Sequence, residues 1–342
     1  MHFLKWLAPG LFIFSILKAH AEKVPLNPWY HKTLDLETAW KYTLGNSNGL
    51  IALIDSGIDY KQTFLEEGVW QNLKEKIGNN RDNDKNGFKN DVIGWNFDLD
   101  NNKPMDASGH GTWLASFMIA RPGKNHPTGI CPGCEIMPLR IFDEDGYTKD
   151  DDVLVDAIYY AIDNGAKIIN LATASEGADS ELKKALIEAG KHDILVLAAA
   201  SNDAENLDNA DTYPARYQFP FMVTVAATRQ NGNLTSNSNW GKKTVHFGAP
   251  GIDLVAYWRF AEDGDQPGWF VDGEGTSDAV AMASAVAGLI RSKNPRLKAT
   301  EVKQIMINTV TPSGYLKNKT ITGGVINAGA ALKCAADLKC LK

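Results

Sequence analysis

A serine that follows Gly-Thr opens a long run of small and aliphatic residues between Gly273 and Ile290. If this run is a helix, Ser277 lies at its N-terminus, where backbone N–H groups and the helix dipole stabilise negative charge. A serine in that place suits nucleophilic catalysis. The Gly-Thr-Ser pattern is equally typical of an ordinary N-cap, in which the hydroxyl only accepts backbone hydrogen bonds. The stretch alone does not separate these two interpretations.

Three other polar residues complete a chemistry that the serine cannot perform alone. They are Asp55 in Leu-Ile-Asp-Ser-Gly, His110 in Ser-Gly-His-Gly-Thr and Asn202 in Ala-Ala-Ser-Asn. Each one by itself is typical of a turn or a cap. Together they supply a base for the serine, a carboxylate that orients the base, and an amide donor for an oxyanion. The set therefore indicates acyl transfer.

The elements that must position these residues follow from hydrophobic patterning. Short apolar runs predict buried strands at residues 50–54, 136–141, 167–171, 194–200 and 222–227. Helical spacing predicts helices at 152–164, closed by Gly165, and at 180–189, with Ser180 as N-cap and Gly190 at the end. Apolar strands joined by helices predict a doubly wound α/β fold, a mostly parallel sheet with helices on both faces.

Ligands bind such sheets outside the carboxyl ends of the strands. Asp55 follows the strand that ends at Ile54, and Asn202 follows the strand that ends at Ala200. His110 and Ser277 each begin a predicted helix. All four side chains are thus expected at the edge where a site is built.

The chain resembles the subtilisin-like serine proteases over residues 29–332. Segments that match the family in order are Tyr213-Pro-Ala-Arg-Tyr217, Ser236-Asn-Ser-Asn-Trp-Gly241, Ala249-Pro-Gly251 and Thr322-Gly-Gly-Val-Ile-Asn327. The resemblance implies a serine endopeptidase that acts on proteins or peptides through an acyl-enzyme, without a catalytic cofactor. It implies that Ser277 is the nucleophile, His110 the general acid and base, and Asp55 its orienting carboxylate. The Asn202 amide and the Ser277 backbone N–H would be the oxyanion donors.

The sequence departs from the family pattern around the site. Trp113 stands where a second histidine is usual, Ser201 replaces a glycine, and Asp278-Ala-Val-Ala281 replaces Met-Ala-x-Pro. We expect substrate to contact two segments, one of Ala172, Thr173 and Ala174 and the other of Ala199, Ala200 and Ser201. Asp278 is favourable at a helix N-terminus, yet an anion beside the serine could oppose an oxyanion. An inactive peptide-binding protein and a calcium-stabilised extracellular interaction module remain alternatives.

Residues 1–21 have the pattern of a cleaved signal peptide. Lys5 precedes an apolar core at 11–17, and Ala19-His-Ala21 is a small-residue cleavage site. Cleavage removes Lys5 and Lys18 and no acid, so the net charge changes from −6 to −8. An acidic surface disfavours nucleic acid and anionic membranes as partners. We therefore expect a secreted or periplasmic monomer, not bound to a membrane after cleavage.

Export also bears on the cysteines and on the domain organisation. In an oxidising compartment we expect disulfides, most simply Cys131–Cys134 and Cys334–Cys340, although four cysteines allow three connectivities. A redox-active pair at Cys131 and Cys134 is the alternative. Residues 22–342 are expected to be one peptidase domain with a disulfide-containing tail and no recognisable pro-domain.

An Asp- and Asn-rich segment at 81–91 predicts a structural calcium site. Asp82, Asp84 and Asn86 alternate ahead of Gly87, and Asp91 follows. Alternating oxygen ligands with a glycine turn suit Ca²⁺, whereas Ile93 stands where an EF-hand has its bidentate glutamate. A solvated acidic loop is the alternative.

Overall fold

A computed structural model describes residues 24–150, 152–259 and 267–341. The predicted signal peptide lies outside these residues. The strands are β1 (Ile51–Asp55), β2 (Trp95–Asn96), β3 (Ile136–Arg140), β4 (Ile168–Leu171), β5 (Ser175–Glu176), β6 (Leu195–Ala199), β7 (Thr212–Tyr213), β8 (Met222–Thr228), β9 (Phe247–Pro250), β10 (Ile252–Trp258), β11 (Gly268–Glu274), β12 (Thr311–Pro312) and β13 (Gly324–Val325). The helices are α1 (Trp29–Thr33), α2 (Leu36–Trp40), α3 (His110–Ile119), α4 (Val153–Asp163), α5 (Ser180–Lys191), α6 (Thr276–Lys293), α7 (Ala299–Asn308) and α8 (Ala328–Asp337).

The main sheet places the five predicted strands at its centre. Among the described residues its order is β12-β13-β9-β8-β6-β4-β1-β3-β2. All neighbours in it are parallel except β12 and β13, which are antiparallel. The prediction of a mostly parallel α/β sheet is confirmed.

Alternate residues of each central strand face opposite layers of helices. In β1, Ile51 and Leu53 belong to the core that contains α3 and α6. Ala52 and Ile54 belong to the core that contains α4 and α5. Because both faces are covered, these strands are apolar throughout, which is the pattern that the sequence shows.

Helix α5 begins differently from the prediction. Asp179, not Ser180, is its N-cap, and the Asp179 carboxylate accepts the backbone N–H groups of Glu181 at 2.7 Å and Leu182 at 2.8 Å. Ser180 is already helical, so its hydroxyl is not the cap. The helix also continues one residue past Gly190, to Lys191. Helix α4 ends as predicted, with Gly165 left-handed (φ 75°) just beyond it.

The two ends of the described chain pack onto the same core. Tyr30 in α1 is buried and donates its hydroxyl to the Val255 carbonyl at 3.1 Å. Helix α2 packs against α8, and a Cys334–Cys340 disulfide joins α8 to the turn after it. The other disulfide, Cys131–Cys134, is buried just before β3. Among the described residues, no helix is both long and apolar enough to cross a membrane.

Candidate active site

Asp55 and His110 meet although 55 residues separate them. Asp55 is the last residue of β1 and is fully buried, and His110 is the first residue of α3, with its side chain 12% exposed. The distance from His110 Nδ1 to Asp55 Oδ1 is 2.7 Å. Asp55 Oδ1 also accepts the backbone N–H of Ser56 at 2.7 Å, which orients the carboxylate. This pair has the geometry of an imidazole oriented by an acid.

A buried network around Asp106, which the sequence pattern did not predict, holds the first turn of α3. Asp106 accepts the backbone N–H groups of Gly109 and Thr112, each at 2.8 Å. It also accepts the Ser56 hydroxyl at 2.7 Å, and Ser56 Oγ in turn accepts the N–H of Gly111 at 2.9 Å. The network ties the helix start to the residue after Asp55. An aspartate a few residues before a helix is a capping pattern, so the sequence did contain a signal.

Ser277 is the second residue of α6 and is buried. Among the described residues, its Oγ has no hydrogen-bond partner. A serine that serves as a cap would use that oxygen to accept a backbone N–H, so the N-cap interpretation loses support. Helices α3 and α6 pack against each other, which brings the two helix starts to one side of the sheet.

Asn202 lies beyond the carboxyl end of β6 and contacts the start of α6. Its Oδ1 accepts both the backbone N–H of Thr276 at 2.9 Å and the Thr276 hydroxyl at 3.0 Å. A backbone N–H can only donate, so this contact fixes which end of the amide carries oxygen. The Nδ2 group is therefore the end of the amide that does not bind Thr276.

The two predicted substrate segments lie at the carboxyl ends of adjacent strands. Because β4 and β6 are parallel neighbours, residues 172–174 and 199–201 lie at the same edge of the sheet. Ala174 is half-buried and the others are buried. Ser201 has a left-handed backbone (φ 76°), a conformation that favours glycine, and its hydroxyl donates to Asp203 Oδ2 at 2.8 Å.

Residues 46–324 match the sequence model of the subtilase family. The chain belongs to this family. It is 31% identical over 276 residues to a cell wall-associated protease of Bacillus subtilis (strain 168), an alignment that covers 80% of this chain and 27% of that protein. It is 33% identical over 221 residues to a thermophilic serine proteinase of Bacillus sp. (strain AK1), covering 64% of this chain and 47% of that protein. The chain thus spans less than half the length of these two relatives.

A solved structure, the crystal structure of a lanthipeptide protease, is similar to this subtilase. Its TM-score is 0.70 with 25% sequence identity, and the match covers 89% of this chain and 93% of that one. The recognition of a subtilisin-like chain, and of its fold, is confirmed.

The electrostatics of this subtilase centre on His110. Burial lowers the pKa of the imidazole, but the negative charges of Asp55, Asp278 and Asp106 outweigh burial and raise the pKa to about 9. An opposite charge close to a histidine stabilises its protonated form. The surrounding carboxylates therefore favour the protonated form of His110.

The acidic loop brings together two predicted calcium ligands and one that the sequence analysis missed. The carboxylates of Glu75, Asp82 and Asp84 have oxygens within 4.8 Å of one another. Glu75 is 8% exposed, and among the described residues its Oε2 has no hydrogen-bond partner. Gly87 is left-handed (φ 96°), as the turn requires. Glu75 lies seven residues before the motif, outside the spacing that identified the loop.

The other two predicted ligands contact each other. Asn86 Nδ2 donates to Asp91 Oδ2 at 2.9 Å, and the same oxygen accepts the Tyr160 hydroxyl at 2.6 Å. Asp91 is fully buried. Asp91 therefore also anchors the loop to α4, through Tyr160.

Proposed function

We propose that this subtilase is a secreted serine endopeptidase that hydrolyses peptide bonds through an acyl-enzyme on Ser277. The observation that carries the proposal is the 2.7 Å contact between His110 Nδ1 and Asp55 Oδ1. A carboxylate on Nδ1 selects the tautomer in which Nε2 is the base. Membership of the subtilase family and relatives named as proteases add support.

In this mechanism His110 takes the proton of Ser277 Oγ as the oxygen attacks the carbonyl carbon of the substrate. Asp55 stabilises the imidazolium that forms. His110 then gives the proton to the leaving amine, and the peptide bond breaks to leave an ester on Ser277. A water molecule, deprotonated by His110, hydrolyses the ester by the same steps. These steps need no catalytic cofactor.

We assign stabilisation of the oxyanion to Asn202 Nδ2 and the backbone N–H of Ser277. The contact of Asn202 Oδ1 with Thr276, the residue before Ser277, supports this assignment, because it fixes the orientation of the amide beside the start of α6. A donor that is already in place costs no reorganisation when negative charge develops. Residues 172–174 and 199–201 would bind the peptide on either side of the scissile bond.

Active-site labelling tests the proposal. A fluorophosphonate should label the folded protein stoichiometrically, and Ser277→Ala should abolish labelling. Ser284→Ala is the matched control, since Ser284 lies in the same helix and its hydroxyl donates to Asn170 Oδ1 at 2.8 Å. It should keep its labelling. Absence of labelling in folded wild-type protein would reject the enzyme and favour a peptide-binding protein or an interaction module.

We also propose that export leaves a single peptidase domain that starts at Glu22. The two disulfides support an oxidising compartment. The packing of α1 and α2 onto the core supports a domain that begins close to residue 22. N-terminal sequencing of the exported protein should give Glu22. A start well beyond that residue would instead reveal a removed pro-segment.

We further propose that the acidic loop binds one structural calcium ion. Within the described part of the chain, one Glu75 oxygen beside Asp82 and Asp84 has no hydrogen-bond partner, which supports this, because a buried carboxylate oxygen without a donor is costly unless a cation compensates it. Calcium should raise the melting temperature by linkage, and Glu75→Gln should weaken that effect. Asp163→Asn, at the exposed end of α4, should not. A melting temperature that does not change with calcium concentration would contradict the proposal.

A further inference from the structure

Two departures from the family motif contact each other. Trp113 Nε1 donates a hydrogen bond to Asp278 Oδ1 at 2.9 Å, and both residues are buried. Trp113 lies in α3, three residues after His110, and Asp278 lies in α6, directly after Ser277. The bond therefore links the two helices that carry the proposed base and the proposed nucleophile.

Helical spacing places this carboxylate near His110. Side chains three residues apart share one face of a helix, so Trp113 and His110 lie on the same face of α3. Asp278, bound to the Trp113 ring, contributes a negative charge that acts on His110, and His110 acts on Asp278 in return. The imidazole thus has Asp55 hydrogen-bonded to Nδ1, and the negative charge of a second carboxylate, from α6, raises its pKa.

Strand β11 closes over the pair. Gly273 is left-handed (φ 88°), and a Cβ added there would lie 3.1 Å from both Asp278 Oδ2 and Trp113 Cζ2. Among the described residues, Asp278 Oδ2 is buried without a hydrogen-bond partner. A half-satisfied buried carboxylate is costly. A positive charge compensates such an oxygen, and of the described residues that act on Asp278, His110 supplies one when it is protonated.

We propose that Asp278 is a positioning residue, a second carboxylate that Trp113 holds toward His110 to stabilise the imidazolium. The proposal rests on the function proposed above, since it assumes that His110 is the base. Two carboxylates favour the imidazolium that forms during acylation. They also lower the fraction of His110 that is neutral in the resting enzyme, so the enzyme should be most active in alkaline solution.

The charged groups around the pair set its pH range. His110 experiences Asp55, Asp278 and Asp106. Burial raises the pKa of Asp278 to about 6, although the Trp113 bond and the His110 charge lower it, and Asp272 on β11 raises it further. Between that pKa and the His110 pKa of about 9, Asp278 is ionised and His110 is protonated. The interaction is therefore strongest near pH 7 to 8.

NMR titration of the His110 imidazole in the full-length Ser277→Ala protein tests the proposal directly. Asp278→Asn keeps the shape and an oxygen acceptor for Trp113 but removes the charge, so it should lower the His110 pKa by about 1 unit. Trp113→Phe removes the donor that favours the ionised carboxylate, so it should lower the His110 pKa by a smaller amount. The exposed Asp163→Asn variant should leave it unchanged. A decrease of less than about 0.3 in the His110 pKa of Asp278→Asn would overturn the proposal.

The result of the NMR titration can be distinguished from the result of the labelling experiment, because the titration does not require the enzyme to turn over substrate. A protein that fails to react with fluorophosphonate can still show, or fail to show, the change in the His110 pKa. In active protein, the acid limb of the kcat/KM profile should move with the NMR value. A purely structural role would change kcat or the melting temperature without moving that limb. If Asp278→Asn does not fold, Trp113→Phe carries the test.

Discussion

Gly111 packs so closely against the carbonyl oxygen of Gly57 that a Cβ on Gly111 would clash with that oxygen. Gly111 is the second residue of α3, and Gly57 follows the end of β1 by two residues. The helix start can approach the strand end only because this position has no side chain. That approach allows His110 Nδ1 to reach Asp55 Oδ1.

Gly111→Ala should destabilise the fold and impair the site together. Alanine is the better helix former by about 1 kcal/mol, but the clash with backbone should outweigh this gain and lower the free energy of unfolding by about 2 kcal/mol. Urea unfolding measures the change. Gly314→Ala is the control, because a Cβ there meets nothing within 4 Å. Equal stability of the two variants would show that the loop after β1 simply moves away.

Asn202→Ala should lower kcat by about 10²–10³-fold with little change in KM, because an oxyanion donor acts in the transition state. Kinetics on a peptide substrate measure this. The exposed Asn209→Ala variant, in the same loop, should behave like wild type. Since Asn202 also holds Thr276, the melting temperature must be compared. An unchanged kcat in a folded Asn202→Ala protein would contradict the assigned role.

Activity should rise steeply from neutral to alkaline pH. The pKa of His110 is raised to about 9. At pH values below this, the fraction of His110 that is neutral rises about tenfold for each unit by which the pH increases. The same change in pKa makes protonation of His110 a stabilising contribution that is complete below its ordinary pKa of 6.5 and is lost as pH rises through about 9. A pH–rate profile that is flat between about pH 7 and 9 would show that another group limits the reaction.

Asp278→Asn should stabilise the protein in neutral solution. Burial raises the pKa of the Asp278 carboxyl group from 3.8 to about 6 in the folded protein. Ionisation of this group therefore lowers the stability of the fold fully above about pH 6, and it has no effect on stability below the pKa of the unfolded protein. A pKa difference of one between the folded and unfolded protein corresponds to about 1.4 kcal/mol, so the gain at about pH 8 should reach up to about 3 kcal/mol. Chemical unfolding at about pH 8 and about pH 3.5 compares the two proteins, with no difference expected at the lower value. A loss of stability at the higher pH would show that the charge pair with His110 outweighs burial.

The start of α5 offers a simple comparison of neighbouring residues. Asp179→Ala removes the N-cap and should cost about 1 kcal/mol of stability, whereas Ser180→Ala should cost almost nothing. Thermal or urea unfolding distinguishes them. If Ser180→Ala were instead the more destabilising of the two variants, Ser180 and not Asp179 would be the N-cap.

Local sequence patterns were sufficient to predict the central sheet and the edge of the sheet at which the candidate site lies. The strands that end at Asp55 and before Asn202 are continuous apolar runs, and the helix of Ser277 is a run of small residues, so each could be identified without knowledge of its neighbours. The antiparallel pair β10 and β11 was not predicted, since residues 252–258 and 268–274 alternate less regularly and are partly exposed.

Contacts between residues distant in sequence required the tertiary structure. The pairing of Trp113 with Asp278 spans 165 residues, and the link from Ser56 to Asp106 spans 50. Glu75 approaches Asp82 and Asp84 only because the chain folds back on itself. Periodicity records which face of an element is buried, and it therefore predicted the sheet and the residue types at its edge. It carries no information on which buried polar atoms meet, so the hydrogen-bond partners of the site, and the charges that tune His110, were decided by packing.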